Sequence, residues 1–254
     1  MAELVDLADK IKRYFQFSFA ETRGLILATA VFAFILSFRE WGTTSFDAIA
    51  GMFNYFNAFL IVGLSILVHT SAQRVWALVT GYKHEFQLWG IGLAFALIAT
   101  FVTRGIAWWF VIPGGFMVHM MAGHRLGWFR YDINYWALGL IAFAGPLGNI
   151  VLAALFKSLG GFFASALIKK AVIFNVAYAI CSVLPIPPLD GSKMFFGSRM
   201  FYAFGLSGIV AAGILLLSDL PVWLSVISAF LIAVILWLLY YVYLEEGKDW
   251  WPYG

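Results

Sequence analysis

The stretch LPIPPLDG at residues 184–191 is the part of the sequence from which the architecture and the candidate site are best inferred. It places the carboxylate of Asp190 behind three prolines in an otherwise apolar part of the chain. Charged residues within membrane-spanning regions are costly and mark functional sites. Far upstream, His69 lies in another apolar run, and an imidazole and a carboxylate brought together there could hold a metal ion. The sequence therefore predicts a buried polar site between two apolar segments.

The composition predicts an integral membrane protein. Hydrophobic residues make up 63% of the 254 residues and charged residues 11%, with a mean hydropathy of +0.90. A soluble domain of this length would need far more charge on its surface. A lipid-spanning helix needs about 20 apolar residues, and the chain contains six to seven such stretches. They cover residues 24–38, 56–82, 88–103, 136–159, 163–184, 201–217 and 222–244.

We therefore expect an all-α polytopic membrane protein with one integral membrane domain over residues 1–254. Residues 1–19 carry apolar side chains at helical spacing, which predicts an amphipathic helix on the membrane surface. The pattern changes over residues 110–136, where PGG at residues 113–115 is typical of strands and turns. Non-helical backbone at membrane depth must be covered by protein or line a cavity. This segment predicts a small membrane-associated β-hairpin packed against the helices.

The possible metal ligands are few. Cys181 is the only cysteine, so the chain can form neither an intrachain disulfide nor a thiolate zinc cluster. Any metal must be held by histidine and carboxylate side chains. In an HExxH helix, two imidazoles four residues apart share one face and bind zinc, while the glutamate faces the metal-bound water. The complete set of histidines is His69, His84, His119 and His124.

Three motifs, taken in order, resemble the site-2 protease family of intramembrane zinc metalloproteases, and in particular its archaeal-type members. HTSAQ at residues 69–73 stands in the place of HExxH. AGPLGN at residues 144–149 is similar to AGPxxN, and SVLPIPPLDG at residues 182–191 is similar to NxxPxPPLDG. The resemblance implies a site-2-protease-like core over residues 56–199, followed by C-terminal transmembrane helices over residues 200–254.

The resemblance also implies roles for individual residues. His69 and Asp190 occupy zinc-ligand positions, Gln73 occupies the position of the missing second imidazole, and Thr70 occupies the general-base position. Contacts with a substrate or partner are implied for Gly114, Gly115, Asn149 and Ser182.

Three departures from the family motifs predict a catalytically inactive homologue. Gln73 supplies no imidazole, and the hydroxyl of Thr70 cannot take a proton from water near neutral pH. Ser182 stands where the family motif has asparagine. We therefore expect no bound cofactor, and a polar cluster of His69, Gln73 and Asp190 in its place. Zinc would be required if the protein were active. The expected function of such a pseudoprotease is to bind or regulate membrane proteins.

Two alternatives stay open at this point. One is an active intramembrane zinc metalloprotease that cleaves transmembrane segments, with substitute groups from His119, His124 or Glu85. The other is a small-solute transporter, because broken helices and an acid at the membrane midplane also mark transporters. The expected partners are the lipid bilayer and a transmembrane segment of another protein, and no nucleic-acid-binding pattern is present. We expect a multi-pass protein of the cell membrane. Basic residues before the first span predict that its N-terminus is cytoplasmic.

Overall fold

The computed structural model describes residues 2–42, 45–121, 134–163 and 165–246, and it is mostly helical. A short π-helix over Tyr241–Glu245 continues the last α-helix. The two strands are β1 (Tyr82–Leu88) and β2 (Gly114–Met120). The helices are α1 (Ala2–Tyr14), α2 (Phe19–Ser37), α3 (Ala48–Val79), α4 (Gly90–Val102), α5 (Tyr135–Gly160), α6 (Ala166–Ser182), α7 (Asp190–Gly197), α8 (Arg199–Leu217) and α9 (Val222–Tyr240).

Five of the described helices are long and apolar enough to cross a membrane. They are α2, α3, α5, α8 and α9 with its π-helical end. Helix α4 is apolar but has only 13 residues, and α6 has 17 residues. The described residues are thus consistent with a multi-pass membrane protein, whereas the expectation of six to seven spans stays a prediction.

Side chains at the helix starts explain where several helices begin. Ser18 and Glu21 form a reciprocal capping box at the start of α2. The side chains of Asp47, Asn134 and Ser165 accept hydrogen bonds from the first backbone N–H groups of α3, α5 and α6, respectively. These contacts satisfy donors that have no partner within the helix. These polar capping residues therefore determine where the helices start.

The two-stranded sheet corrects one expectation. Strand β2 lies within the segment for which a hairpin was expected, but it pairs in antiparallel register with β1, which precedes α4. Helix α4, and not a tight turn, thus separates the paired strands. Along β1 the side chains of Tyr82, His84 and Phe86 are buried. This alternation of buried and exposed side chains is typical of a strand. Strand β1 was not predicted from the sequence, because it lies between two apolar runs. Most of the segment 125–135 lies outside the described residues.

The central helix of the fold is α5. It packs against α3, α6, α7 and α8, and its small residues Ala142, Gly145 and Ala153 are buried at these contacts. Small side chains let membrane helices approach closely. Residues 184–189 then lead from α6 to α7, so the first residue of α7, Asp190, lies beside the middle of α5. This arrangement brings α3, α5, α6 and α7 together around one buried polar region.

Candidate functional site

His69 on α3 and Asp190 on α7 meet inside the helical core. Nε2 of His69 lies 2.9 Å from Oδ2 of Asp190, and both side chains are only 5% exposed. The His69 ring also stacks on Tyr178 of α6, with 4.5 Å between the ring centroids. A buried carboxylate without a partner would be strongly destabilising. The contact therefore both satisfies Asp190 and joins α3 to α7.

A chain of amide side chains determines which nitrogen of His69 carries a hydrogen. Nδ2 of Asn175 donates to the carbonyl of Ala171, so Oδ1 of Asn175 accepts from Nδ2 of Asn149 at 2.9 Å. The same Asn149 nitrogen donates to the carbonyl of Ser65. Oδ1 of Asn149 is thus left as the acceptor for Nδ1–H of His69, at 2.7 Å. The Asn175–Asn149 relay therefore places a hydrogen on Nδ1 of His69.

This assignment leaves Nε2 of His69 for the contact with Asp190 at 2.9 Å. Both ring nitrogens therefore have a polar partner inside the core, one on α5 and one on α7. Two buried polar groups that contact each other are much easier to bury than either one alone.

Two glycines of the quoted motifs make room for this pair. A methyl group added at Gly145 of α5 would lie within 2.7 Å of three ring atoms of His69. A methyl group added at Gly191 would overlap the backbone of Val183 and Leu184. Both motifs thus have a packing role that is independent of any catalytic chemistry.

Gln73 is buried on α3, but it does not join Asp190. Its Oε1 accepts a hydrogen bond from Nε2–H of His84 on β1, at 3.1 Å. The His84 ring stacks on Phe116 of β2, with 5.1 Å between centroids. The expected cluster is therefore divided, because Gln73 forms a second pair with His84. The buried hydroxyl of Thr70 has no hydrogen-bond partner among the described residues.

The environment of His84 keeps its imidazole neutral. His84 lies on β1, outside the spanning helices, and is almost fully buried. Burial, and then the nearby basic groups of Arg74, His69 and Lys193, lower the pKa of His84 from 6.5 to about 3. The ring therefore titrates far below neutral pH, and at neutral pH it can donate through only one nitrogen.

Strand β2 is held against the proline-rich segment. Gly115 packs so closely on the carbonyl of Pro188 that an added methyl group would overlap it. The ammonium of Lys193 donates to the same carbonyl at 2.9 Å and lies 4.4 Å from the ring centre of Phe116. Gly114 packs against the backbone of β1 at Gln87. These contacts bring β2 to the edge of the site, next to the start of α7.

The other predicted residues lie apart from the pair. Ser182 is buried, but its hydroxyl donates to carbonyls of its own helix, at Tyr178 and Ala179. His119 pairs across the two strands with Glu85 at 3.0 Å, in a position where both side chains are substantially exposed. His124 lies outside the described residues. None of the substitute groups that the structure describes reaches His69.

Sequence reasoning assigned no role to three residues of the site: Asn175, Tyr178 and His84. Asn175 could have been predicted as a site residue, because it is an amide within an apolar run where an unpaired polar group is costly. Tyr178 could not, since a tyrosine in a span is equally typical of packing. His84 was known only as one of the histidines, and its partner depends on the strand that brings it beneath α3.

The donor set does not fit a zinc ion with three protein ligands. Among the described residues, no three His, Cys, Asp or Glu side chains converge as a metal site. The 2.9 Å between His69 and Asp190 is also shorter than the roughly 3.4 Å that tetrahedral zinc, about 2.1 Å from each ligand, sets between two ligand atoms. The amide of Gln73 is engaged by His84.

The fold and the site together are consistent with a multi-pass helical membrane protein whose helices enclose a buried histidine–carboxylate pair. A comparison with curated proteins then narrows this class. Over 185 residues the chain is 29% identical to the "Putative zinc metalloprotease" of Methanocaldococcus jannaschii, an alignment that covers 71% of this chain and 85% of that protein. The similarity supports a relationship to a metalloprotease family. No protein-family model matches the chain, and no solved structure matches it.

Proposed function

We propose that this chain is a catalytically inactive relative of the site-2 proteases that binds a transmembrane segment of another membrane protein. The observation that carries the proposal is the engagement of the histidine–carboxylate pair. His69 and Asp190 bond directly to each other, and Gln73, at the position of the second imidazole, bonds to His84. The similarity to a zinc metalloprotease and the order of the three motifs support the family assignment.

Among the described residues, Thr70 and Gln73 offer neither the general base nor the second imidazole of the HExxH pattern. Zinc-dependent hydrolysis needs three protein ligands, an open metal position for water, and a base that accepts its proton. Thr70 provides no such base, because a hydroxyl remains protonated near neutral pH. The two zinc ligands that the resemblance assigns, His69 and Asp190, here satisfy each other. We infer that the former active-site region serves as a rigid support for binding.

The edge of β2 is the binding surface that we propose. The N–H of Phe86 on β1 donates to Glu21, so it points away from β2. Phe116 lies opposite Phe86, and in an antiparallel ladder both residues of such a pair direct their backbone groups outward. Phe116 and Val118 therefore direct N–H and C=O groups to the outer edge of β2. An extended segment could pair with this edge beside the proline-rich segment.

Zinc analysis with a matched variant tests the inactivity. Elemental analysis of the detergent-solubilised protein should find no stoichiometric zinc in the wild type. The Thr70→Glu/Gln73→His variant restores the HExxH pattern and should bind close to one zinc per chain. About one zinc per wild-type chain, lost in Asp190→Ala, would overturn the proposal.

Crosslinking tests the binding. A photoreactive residue at position 118 should trap a transmembrane segment in the native membrane, while the same residue at the lipid-facing position 236 of α9 should not. Identical adducts at both positions would contradict specific binding at the edge of β2.

One alternative has support of its own. The Methanocaldococcus jannaschii relative carries the name of a zinc metalloprotease, and an active enzyme of that kind is the alternative function of this chain. That function predicts cleavage of a transmembrane substrate that chelators inhibit and that His69→Ala abolishes. The zinc analysis above distinguishes the two functions.

A further inference from the structure

A cavity of about 870 Å³ lies far from the histidine–carboxylate pair, where α5 ends, α6 begins and α8 ends. Its base contains the buried side chains of Val172 and Leu216. Its rim contains the exposed side chains of Lys169 and Asp219. The cavity thus changes from apolar at its base to charged at its rim.

The position of the cavity places this change near the membrane boundary. Helices α5 and α8 are long enough to span the bilayer, and both end beside the cavity. Along α6, Lys169 lies four residues, or about 6 Å, closer to the helix start than Ile173. Ile173 also lines the cavity and is exposed. The lysine therefore lies at the head-group side and the isoleucine at the hydrocarbon side.

The charges at this boundary favour an anion. Lys157 donates to the carbonyl of Ser218 at 2.7 Å and lies near Asp219, the carboxylate of the cavity. Lys169 has no ion-pair partner among the described residues, whereas its neighbour Lys170 pairs with Glu40. The first turn of α6 adds the positive end of its dipole. The carbonyl ends of α5 and α8 also lie beside the cavity, and Lys157 donates to those of α8. Lys169 and the start of α6 are thus the positive groups that stay available to an anion.

A second cavity, of about 570 Å³, lies on the other side of the same helix turn. It shares Lys169 and Ile173 with the first cavity and is also lined by Arg39 and Lys170. The surface on both sides of the start of α6 is therefore basic at the boundary and apolar below it. This is the arrangement that an anionic lipid needs, because its charged phosphate is attached to acyl chains that stay in hydrocarbon.

We propose that the larger cavity binds one anionic phospholipid. Its phosphate lies between Lys157 and Lys169, and an acyl chain follows the apolar wall formed by Ile173 and Leu217. The apolar wall argues for a lipid over a soluble phosphate compound, because a small hydrophilic ligand would leave that wall uncovered. The site is independent of the proposed pseudoprotease function and would exist equally in an active enzyme.

Native mass spectrometry tests this site. The full chain, released from nanodiscs with equal amounts of phosphatidylglycerol and phosphatidylcholine, should retain one phosphatidylglycerol in preference to phosphatidylcholine. A lysine near a membrane surface strengthens the attraction of anionic lipid roughly fivefold. The Lys157→Gln/Lys169→Gln variant should therefore lose about 25-fold in phosphatidylglycerol retention. The matched control, Lys83→Gln, changes an exposed lysine on β1 and should behave as the wild type.

A second variant separates lipid binding from folding. Ile173→Trp fills the apolar wall at an exposed position without a change of charge, and it should also reduce lipid retention. Equal retention of both lipids by the wild type would overturn the proposal, as would unchanged phosphatidylglycerol retention in both variants. Displacement of phosphatidylglycerol by millimolar inorganic phosphate would assign the site to a soluble anion and would equally overturn it.

Discussion

The substitution Gly145→Ala tests the central geometry most directly. The added methyl group would lie within 2.7 Å of three ring atoms of His69. That ring cannot turn freely, because it is bonded on one side to Asn149 and on the other to Asp190, and it stacks on Tyr178. The ring must therefore move. We expect the contact with Asp190 to break, because Nε2, which makes this contact, is the ring atom nearest to the added methyl group.

The expected loss of stability follows from two effects. A hydrogen bond to a charged group contributes about 1.5–3 kcal/mol, and overpacking a core costs about 1–3 kcal/mol. Replacement of a helical glycine by alanine offsets this with a gain of about 1 kcal/mol. We expect Gly145→Ala to lower the free energy of unfolding by about 3 kcal/mol.

Gly160→Ala is the matched control on the same helix. Its methyl group would lie 3.4 Å from the side-chain end of Ile168, which is an ordinary contact. The free energy of unfolding in mixed micelles, measured by titration with sodium dodecyl sulfate, should be unchanged or slightly raised for this variant. If Gly145→Ala proved as stable as Gly160→Ala, the placement of His69 against α5 would be refuted.

Three further predictions use the same unfolding assay. His69→Ala and Asp190→Ala should each destabilise by about 3–5 kcal/mol, and the double variant by clearly less than their sum, because each single change leaves one partner of the buried pair alone; additive losses would contradict the pairing. Asn175→Leu should cost about 1–3 kcal/mol, since it removes the acceptor of the Asn149 amide; a loss below about 0.5 kcal/mol would contradict the relay. The pKa of His84 is about 3 in the folded state and 6.5 in the unfolded state. Stability should therefore be complete above pH 6.5 and fall by about 1.4 kcal/mol per pH unit below it, and the slope should flatten in His84→Gln; an equal slope in that variant would assign the acid sensitivity elsewhere.

The sequence predicted the helical membrane architecture from its local composition. It predicted the meeting of His69 with Asp190 from the cost of a buried charge and from the resemblance of the motifs. Spans are readable because the bilayer demands about 20 apolar residues in a row. A charge within such a run needs a partner. With one carboxylate at residues 184–191 and one histidine in the apolar run upstream, the choice of partners was small. The structure describes them at hydrogen-bond distance.

The pairing of β1 with β2 could not be predicted in the same way. The strands lie on either side of α4, and their register depends on contacts distant in sequence. A strand of seven residues also gives a weak signal between two apolar runs. The error carried over to the site, because the strand position of His84 is what brings its imidazole to Gln73. His84, which bonds to Gln73 in place of Asp190, was thus identified in the sequence as a histidine. Its position on a strand next to Gln73 was not predicted.

Burial explains why the changes at positions 70 and 73 are compatible with a stable fold. Thr70 and Gln73 are neutral, so neither leaves an uncompensated charge in the core, whatever its hydrogen bonds. His69 and Asp190 differ from Thr70 and Gln73 in this respect. Removal of either one leaves its titratable partner buried among apolar helices without a hydrogen-bond partner. The contact between His69 and Asp190 can therefore hold α3 to α7 without a metal ion. Under the proposed function, the core would keep its shape without catalysis, which is the property that binding requires.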